Sequence, residues 1–150
     1  GKLYLAVIMD LFYRMIVGWA LSAINNRYLV IRVLDMALLR RGPEAGLLHH
    51  TDQGSPYASE GYMNVLAGRG IECSMSRRGN CYDNAPMESF WATLKTELIF
   101  HRRFATRQQA IREITEYIEV FYNRQRLQKQ LDYLSPAAFE RRYYEQRLAA

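Results

Sequence analysis

Apolar residues recur at two different periods along this chain, and the switches between them mark the elements. Residues 3–9 and about 15–22 are rich in β-branched and aromatic side chains, which predicts two strands. Asp10-Leu11-Phe12-Tyr13-Arg14 between them reads as a hairpin turn, with Asp10 able to hydrogen-bond the nearby backbone. From Asn26 the period changes. Val30, Val33, Leu34, Ala37 and Leu38 follow helical spacing behind a capping Asn, and Pro43 ends the run. Leu47–Thr51 is predicted as a short buried strand. Ser59 caps a second helix through Tyr62, Met63 and Leu66, which Gly68 and Gly70 stop. Ile71–Met75 is another short strand. Asn84 is placed to cap a third helix, with Pro86 tolerated in its first turn. Thr106 and Gln109 have capping-box spacing and open a helix with Ala110, Ile111, Ile114, Ile118 and Phe121 as its apolar positions. The predicted order is strand, strand, helix, strand, helix, strand, helix, followed by a helical tail. There is no internal repeat, low-complexity tract or long linker.

Composition narrows the class. The chain has 150 residues, 49% of them apolar, with eleven Tyr, which is enough for one domain with a sizeable core. No apolar run approaches the roughly 18 residues of a membrane span, and no secretory signal pattern is present. Cys73 and Cys81 form neither a zinc-type pair nor a convincing disulfide, so reduced thiols in a cytoplasmic protein are the simplest account. Net charge is +5 and uneven. Residues 1–68 carry six basic and five acidic residues, and 69–150 carry fourteen and ten. A polyanionic partner is compatible with that excess, although charge alone selects no partner.

Candidate chemistry centres on Asp52 and Glu88. Asp52 lies in His-Thr-Asp-Gln-Gly-Ser-Pro-Tyr (50–57), at the end of the third predicted strand. Glu88 lies in Asp-Asn-Ala-Pro-Met-Glu-Ser-Phe-Trp (83–91), at the start of the third helix. Carboxylates on separate elements can converge on a hard divalent cation. By themselves the same residues also read as a turn Asp and as a first-turn Glu favoured by the helix dipole.

The surrounding motifs sharpen this. His50, Asp52, Gly54 and Tyr57, then Ser74-Met75-Ser76, Gly79-Asn80, Asp83-Asn84-Ala85, Glu88-Ser89-Phe90, Leu94-Lys95-Thr96-Glu97, Tyr122-Asn123 and Leu134-Ser135-Pro136 resemble the catalytic core of DDE transposases from bacterial insertion sequences. That group is closest to retroviral integrases, and the resemblance runs over nearly the whole chain. It implies an α/β, ribonuclease H-like integrase-core fold. Residues 1–105 are then an N-terminally truncated catalytic core, and 106–150 a helical extension of the same domain.

It also implies Mg²⁺ or Mn²⁺, two ions in the intact enzyme, held by three carboxylates. Asp52 and Glu88 match the second and third. The first is expected ahead of Leu3, on a central strand lying between the first strand seen here and the strand that leads to Asp52. Without that strand both neighbours should have unpaired backbone, or should pair differently or with another chain. Asp10 is the tempting substitute for the first ligand, yet it matches the family's second strand and turn.

Lys95 returns to nearly the same helix face as Glu88, about 10 Å along the axis, and the resemblance makes it a phosphate-binding residue; the alternative is a solvated Lys. Arg77 and Arg78 are candidate DNA-backbone contacts or solvated loop residues. His50 reads as support beside Asp52, His49 is open, and Phe90, Trp91 and Leu94 read as core. Gln128 stands where the family often has His. The implied function is metal-dependent DNA strand cleavage and strand transfer on transposon ends and target DNA, by a homo-oligomer in the bacterial cytoplasm, nucleoid-associated when bound to DNA. Two alternatives stay open. One is an inactive remnant that binds DNA or associates with an intact transposase. The other is a nuclease acting on RNA–DNA hybrids.

Overall fold

A computed structural model of the chain describes residues 2–43, 46–51, 57, 59–75 and 85–149, with the main chain alone at 48, 50, 51, 74 and 75. The chain folds as two compact units. One comprises Gly1–Ile8 with Val17–Ser89, and the other Met9–Ile16 with Phe90–Ala150.

The first unit follows the predicted order. β1 (Tyr4–Asp10) and β2 (Met15–Ser22) make a two-stranded sheet, the hairpin's tip belonging to the second unit. β2 is buried from Ile16 through Ala20, both faces included, which is why its sequence is a continuous apolar run. α1 (Arg27–Arg41) starts where Asn26 accepts hydrogen bonds from the Tyr28 and Leu29 amides. It ends at Arg41, two residues before the expected stop at Pro43. Gly42 takes the left-handed conformation, φ 50°, and returns its N–H to the Leu38 carbonyl. β3 (Leu48–Thr51) begins one residue later than predicted, leaving Leu47 exposed. α2 (Glu60–Gly68) is capped by Ser59, whose hydroxyl accepts from the Tyr62 amide. Gly68 lies within it, and the reversal falls at Gly70, φ 66°. β4 (Glu72–Met75) pairs in parallel with β3, Leu48 opposite Glu72 and Thr51 opposite Met75. Ala6, Ala20, Leu29, Val30, Val33, Leu34, Leu38, Tyr62, Leu66 and Ile71 form the core of this unit. Among the described residues β1 pairs with β2 and β3 with β4, and the two sheets share no pairing. Among the described residues the outer edges of β1 and β3 carry no strand neighbour.

The second unit is helical. α3 (Ala85–Glu97), whose residues through Ser89 belong to the first unit, leads through a short 3₁₀ turn to α4 (Arg107–Glu116). Thr106 Oγ1 accepts from the Gln109 amide at 3.0 Å, and Gln109 Oε1 accepts from the Ala105 amide at 2.7 Å, one residue earlier than a standard capping box returns its bond. α4 then widens into a π-helical turn, Tyr117–Tyr122, where the Asn123 N–H reaches the Ile118 carbonyl five residues back. This corrects two predicted core positions. Ala110, Ile114 and Ile118 are buried, but Ile111 and Phe121 are 37% and 39% exposed. The wider turn carries Tyr122, not Phe121, onto the buried face. Ile111 lies on the flank of the stripe that Ala110, Ile114 and Tyr117 occupy. A last helix, α5 (Pro136–Ala149), is capped by Ser135, whose hydroxyl accepts from the Ala138 amide, with Pro136 as its first residue.

Candidate functional site

Asp10 sits at the hairpin turn. Its Oδ1 accepts from the Phe12 amide at 3.0 Å and the Tyr13 amide at 3.3 Å, so the side chain fixes the reversal as a turn Asp does. Asn123 holds the same tip from the helical side. Its Oδ1 accepts from the Ile16 amide and its Nδ2 donates to the Ile16 carbonyl, both at 2.9 Å and buried. The amide thus serves Ile16 as a neighbouring strand would.

Glu88 occupies the first turn of α3 and is exposed, with no side-chain partner among the described residues. Its negative charge is favoured there by the helix dipole. Phe90 and Leu94 form the buried face of the same helix, and Trp91 is half-buried against Phe90, ring centroids 5.3 Å apart. At 3.6 residues per turn, Glu88 and Lys95 fall about 20° apart around the axis and roughly 130° from the buried face. Both are exposed, so the helix carries an anion and a cation on one solvent side.

Asp52 lies outside the described residues, immediately beyond the parallel β3–β4 pair that ends at Thr51 and Met75. Arg77, Arg78, Asn84 and the His50 side chain lie outside them too. The His49 Nε2 is 2.6 Å from the Tyr62 hydroxyl. Burial pushes the Tyr62 phenol well above its ordinary range. Gln128 is buried and bridges to Leu134 through its main chain, while its Nε2 has no hydrogen-bond partner among the described residues. No group of three His, Cys, Asp or Glu side chains is placed to share a metal among those residues, and no helix among them is long and apolar enough to cross a membrane. Cys73 is a free, half-buried thiol.

One cluster was missed from the sequence. Glu97, at the end of α3, accepts from the Tyr117 hydroxyl at 2.9 Å and takes both of its oxygens to Arg126 Nε, 3.0 and 2.9 Å away. Burial and then the Glu97 hydrogen bond hold the Tyr117 phenol far above its usual value. The cluster ties α3 to the π turn and to the loop after it. Only the family block 94–97 pointed to Glu97, because its partners are 20 and 29 residues distant.

Comparison with known proteins decides the family. The integrase core domain matches residues 1–81, and a second integrase core domain family matches 88–144. The chain belongs to the integrase core family. Among relatives of this core, an uncharacterized 31 kDa protein of insertion element IS600 from Shigella sonnei is 50% identical over 145 residues, 97% of this chain and 53% of its own length. The transposase for insertion sequence element IS904 of Lactococcus lactis is 50% identical over 141 residues, 94% of this chain and 56% of its own. The transposase InsF of insertion sequence IS3A from Escherichia coli is 41% identical over 140 residues, 93% and 49%. The chain therefore spans about half the length of the curated relatives it matches. A chain of the cryo-EM structure of the simian T-cell lymphotropic virus intasome in complex with PP2A regulatory subunit B56 gamma superposes with a TM-score of 0.62 at 18% identity, covering 78% of this core and 42% of that chain. The likeness shows the fold, the ribonuclease H-like α/β architecture expected. Members of the integrase core family generally use divalent metal ions.

Proposed function

We propose that the chain is the catalytic core portion of an insertion-sequence transposase that cleaves DNA strands and joins a DNA 3′-hydroxyl to target DNA. The observation that carries this reading is the 50% identity to the IS904 transposase over 94% of the chain, a span that takes in both integrase-core segments. It favours an acting core over a remnant. Asp52 and Glu88 are the catalytic carboxylates and the metal ligands, with Asp10 engaged by its turn. Glu88 fits a Mg²⁺ or Mn²⁺ site in chemistry and placement, being a hard oxygen donor that is exposed and without a partner among the described residues. Two bound ions would supply charge stabilisation to the attacking and leaving oxygens of phosphoryl transfer. Lys95, Arg77 and Arg78 hold the DNA backbone, and Lys95 does so from the side of α3 that carries Glu88. The partners are transposon-end and target DNA and further copies of the chain, in the cytoplasm.

The test uses the protein at the length of its relatives, a labelled transposon-end duplex and Mg²⁺. Glu88→Gln and Asp52→Asn should each abolish cleavage and joining while DNA affinity stays within about threefold, since one charge is lost with little change in volume. Undiminished chemistry in Glu88→Gln removes that residue from the mechanism. End binding without any metal-dependent chemistry by the unmodified protein would instead support the remnant reading.

A further inference from the structure

Between Glu97 and Glu113 the chain has no acidic residue, and that stretch holds His101, Arg102, Arg103, Arg107 and Arg112. Both bounding acids are already used. Glu97 is taken by Arg126 and Tyr117, and Glu113 lies 3.5 Å from Arg102. Arg103 and Arg107 are exposed, with no ion-pair or hydrogen-bond partner among the described residues. Arg102 is the paired member of the set, with Glu113 as its partner. The bond from the Ala105 amide to Gln109 Oε1 fastens this loop to the start of α4. Four residues of chain hold the Cα atoms of the two arginines within about 14 Å of each other. Guanidinium groups are the side chains best matched to phosphate oxygens.

We infer that Arg103 and Arg107 form a further DNA-backbone contact, on the loop after α3 and separate from Lys95, Arg77 and Arg78. The inference rests on the reading of the chain as a core that acts on DNA. It is tested by titrating the chain against a labelled 30-base-pair duplex between 50 and 200 mM salt, with the thermal midpoint of each variant checked alongside. The double variant Arg103→Gln/Arg107→Gln should lower the steepness of the log affinity–log salt plot by about 1.8. At about 0.1 M salt that corresponds to a roughly 60-fold loss of affinity, since each released counterion contributes about 0.9 to the slope. Arg103→Lys/Arg107→Lys should restore the slope, because the charges remain. If the unmodified chain binds duplex DNA and the Gln variant keeps its slope, the contact is overturned while the transposase reading stands. A Lys variant that leaves the slope low assigns the loss to something other than charge and also overturns it. No salt-dependent duplex binding by the unmodified chain overturns the contact, while the cleavage assay on the longer protein decides the transposase reading separately. If the Gln variant loses retention on phosphatidylserine vesicles but keeps its DNA slope, the patch serves an anionic membrane surface and the DNA contact is wrong.

Discussion

Asn123 shows how much one side chain can matter here. Its amide completes the main-chain bonding of Ile16, 107 positions earlier, in a buried setting. Asn123→Ala leaves a buried N–H and a buried C=O without partners, at about 1–3 kcal/mol each. A loss of roughly 2–5 kcal/mol is expected, read as a lower urea midpoint with an unchanged m-value. Asn123→Asp should not rescue it, because a carboxylate oxygen then faces the Ile16 carbonyl. A loss below about 0.5 kcal/mol for the alanine variant would mean these bonds contribute nothing. The Glu97–Arg126 pair is of similar length but about a third exposed on each side, and solvent keeps such pairs near 0–1 kcal/mol. Sequence legibility divides along the same line. Asp10 as a turn residue and Glu88 as a first-turn residue were readable, because the signals sit within a few positions of each. Nothing near Asn123 announces Ile16, since the contact exists only after the chain has folded.

At the scale of elements, β2 and α1 meet at Gly18. A Cβ there would stand 2.5 Å from the Val33 carbonyl oxygen and 3.2 Å from the Ala37 Cβ. The obstacle is main chain and cannot rotate aside, so Gly18→Ala must push the strand and helix apart. The expected cost is about 1–3 kcal/mol, the usual range for an overpacked core. Thermal unfolding followed by circular dichroism measures it, and an unshifted midpoint would show that the strand–helix spacing has slack. Every strand and helix through α3 was readable, because each has its own period and α1 and α2 have their own caps. The π turn was not. Tyr117–Tyr122 continues an apolar pattern that suits an ordinary α-helix, and only the packing of Tyr122 reveals the extra width. The start of α5 was missed although Ser135-Pro136 is a cap followed by a first-turn proline, a signal absorbed into the family's tail motif.

Across the whole molecule, buried tyrosines set the alkaline limit. Tyr62, Tyr117 and Tyr122 are all held above the ordinary phenol range near 10, by burial foremost. A raised folded-state value favours the protonated folded form, so their contribution is complete below pH about 10 and declines as pH rises toward the folded-state values. The last part of the tyrosinate absorbance, from the buried phenols, should therefore rise together with the loss of far-UV ellipticity above that pH. Complete tyrosine titration near pH 10 with ellipticity intact would refute this. The strand and helix order was legible as a whole, whereas the division into units was not, because the second unit recruits Met9–Ile16 from the far end of the chain. That recruitment has a consequence in time. Synthesis runs at about 5–20 residues per second, so the hairpin tip is made roughly 5–20 s before Asn123 emerges to receive it. Through that interval a nascent chain keeps the Ile16 amide and carbonyl open to water, or to a chaperone, while the stretch that follows already has its own partners.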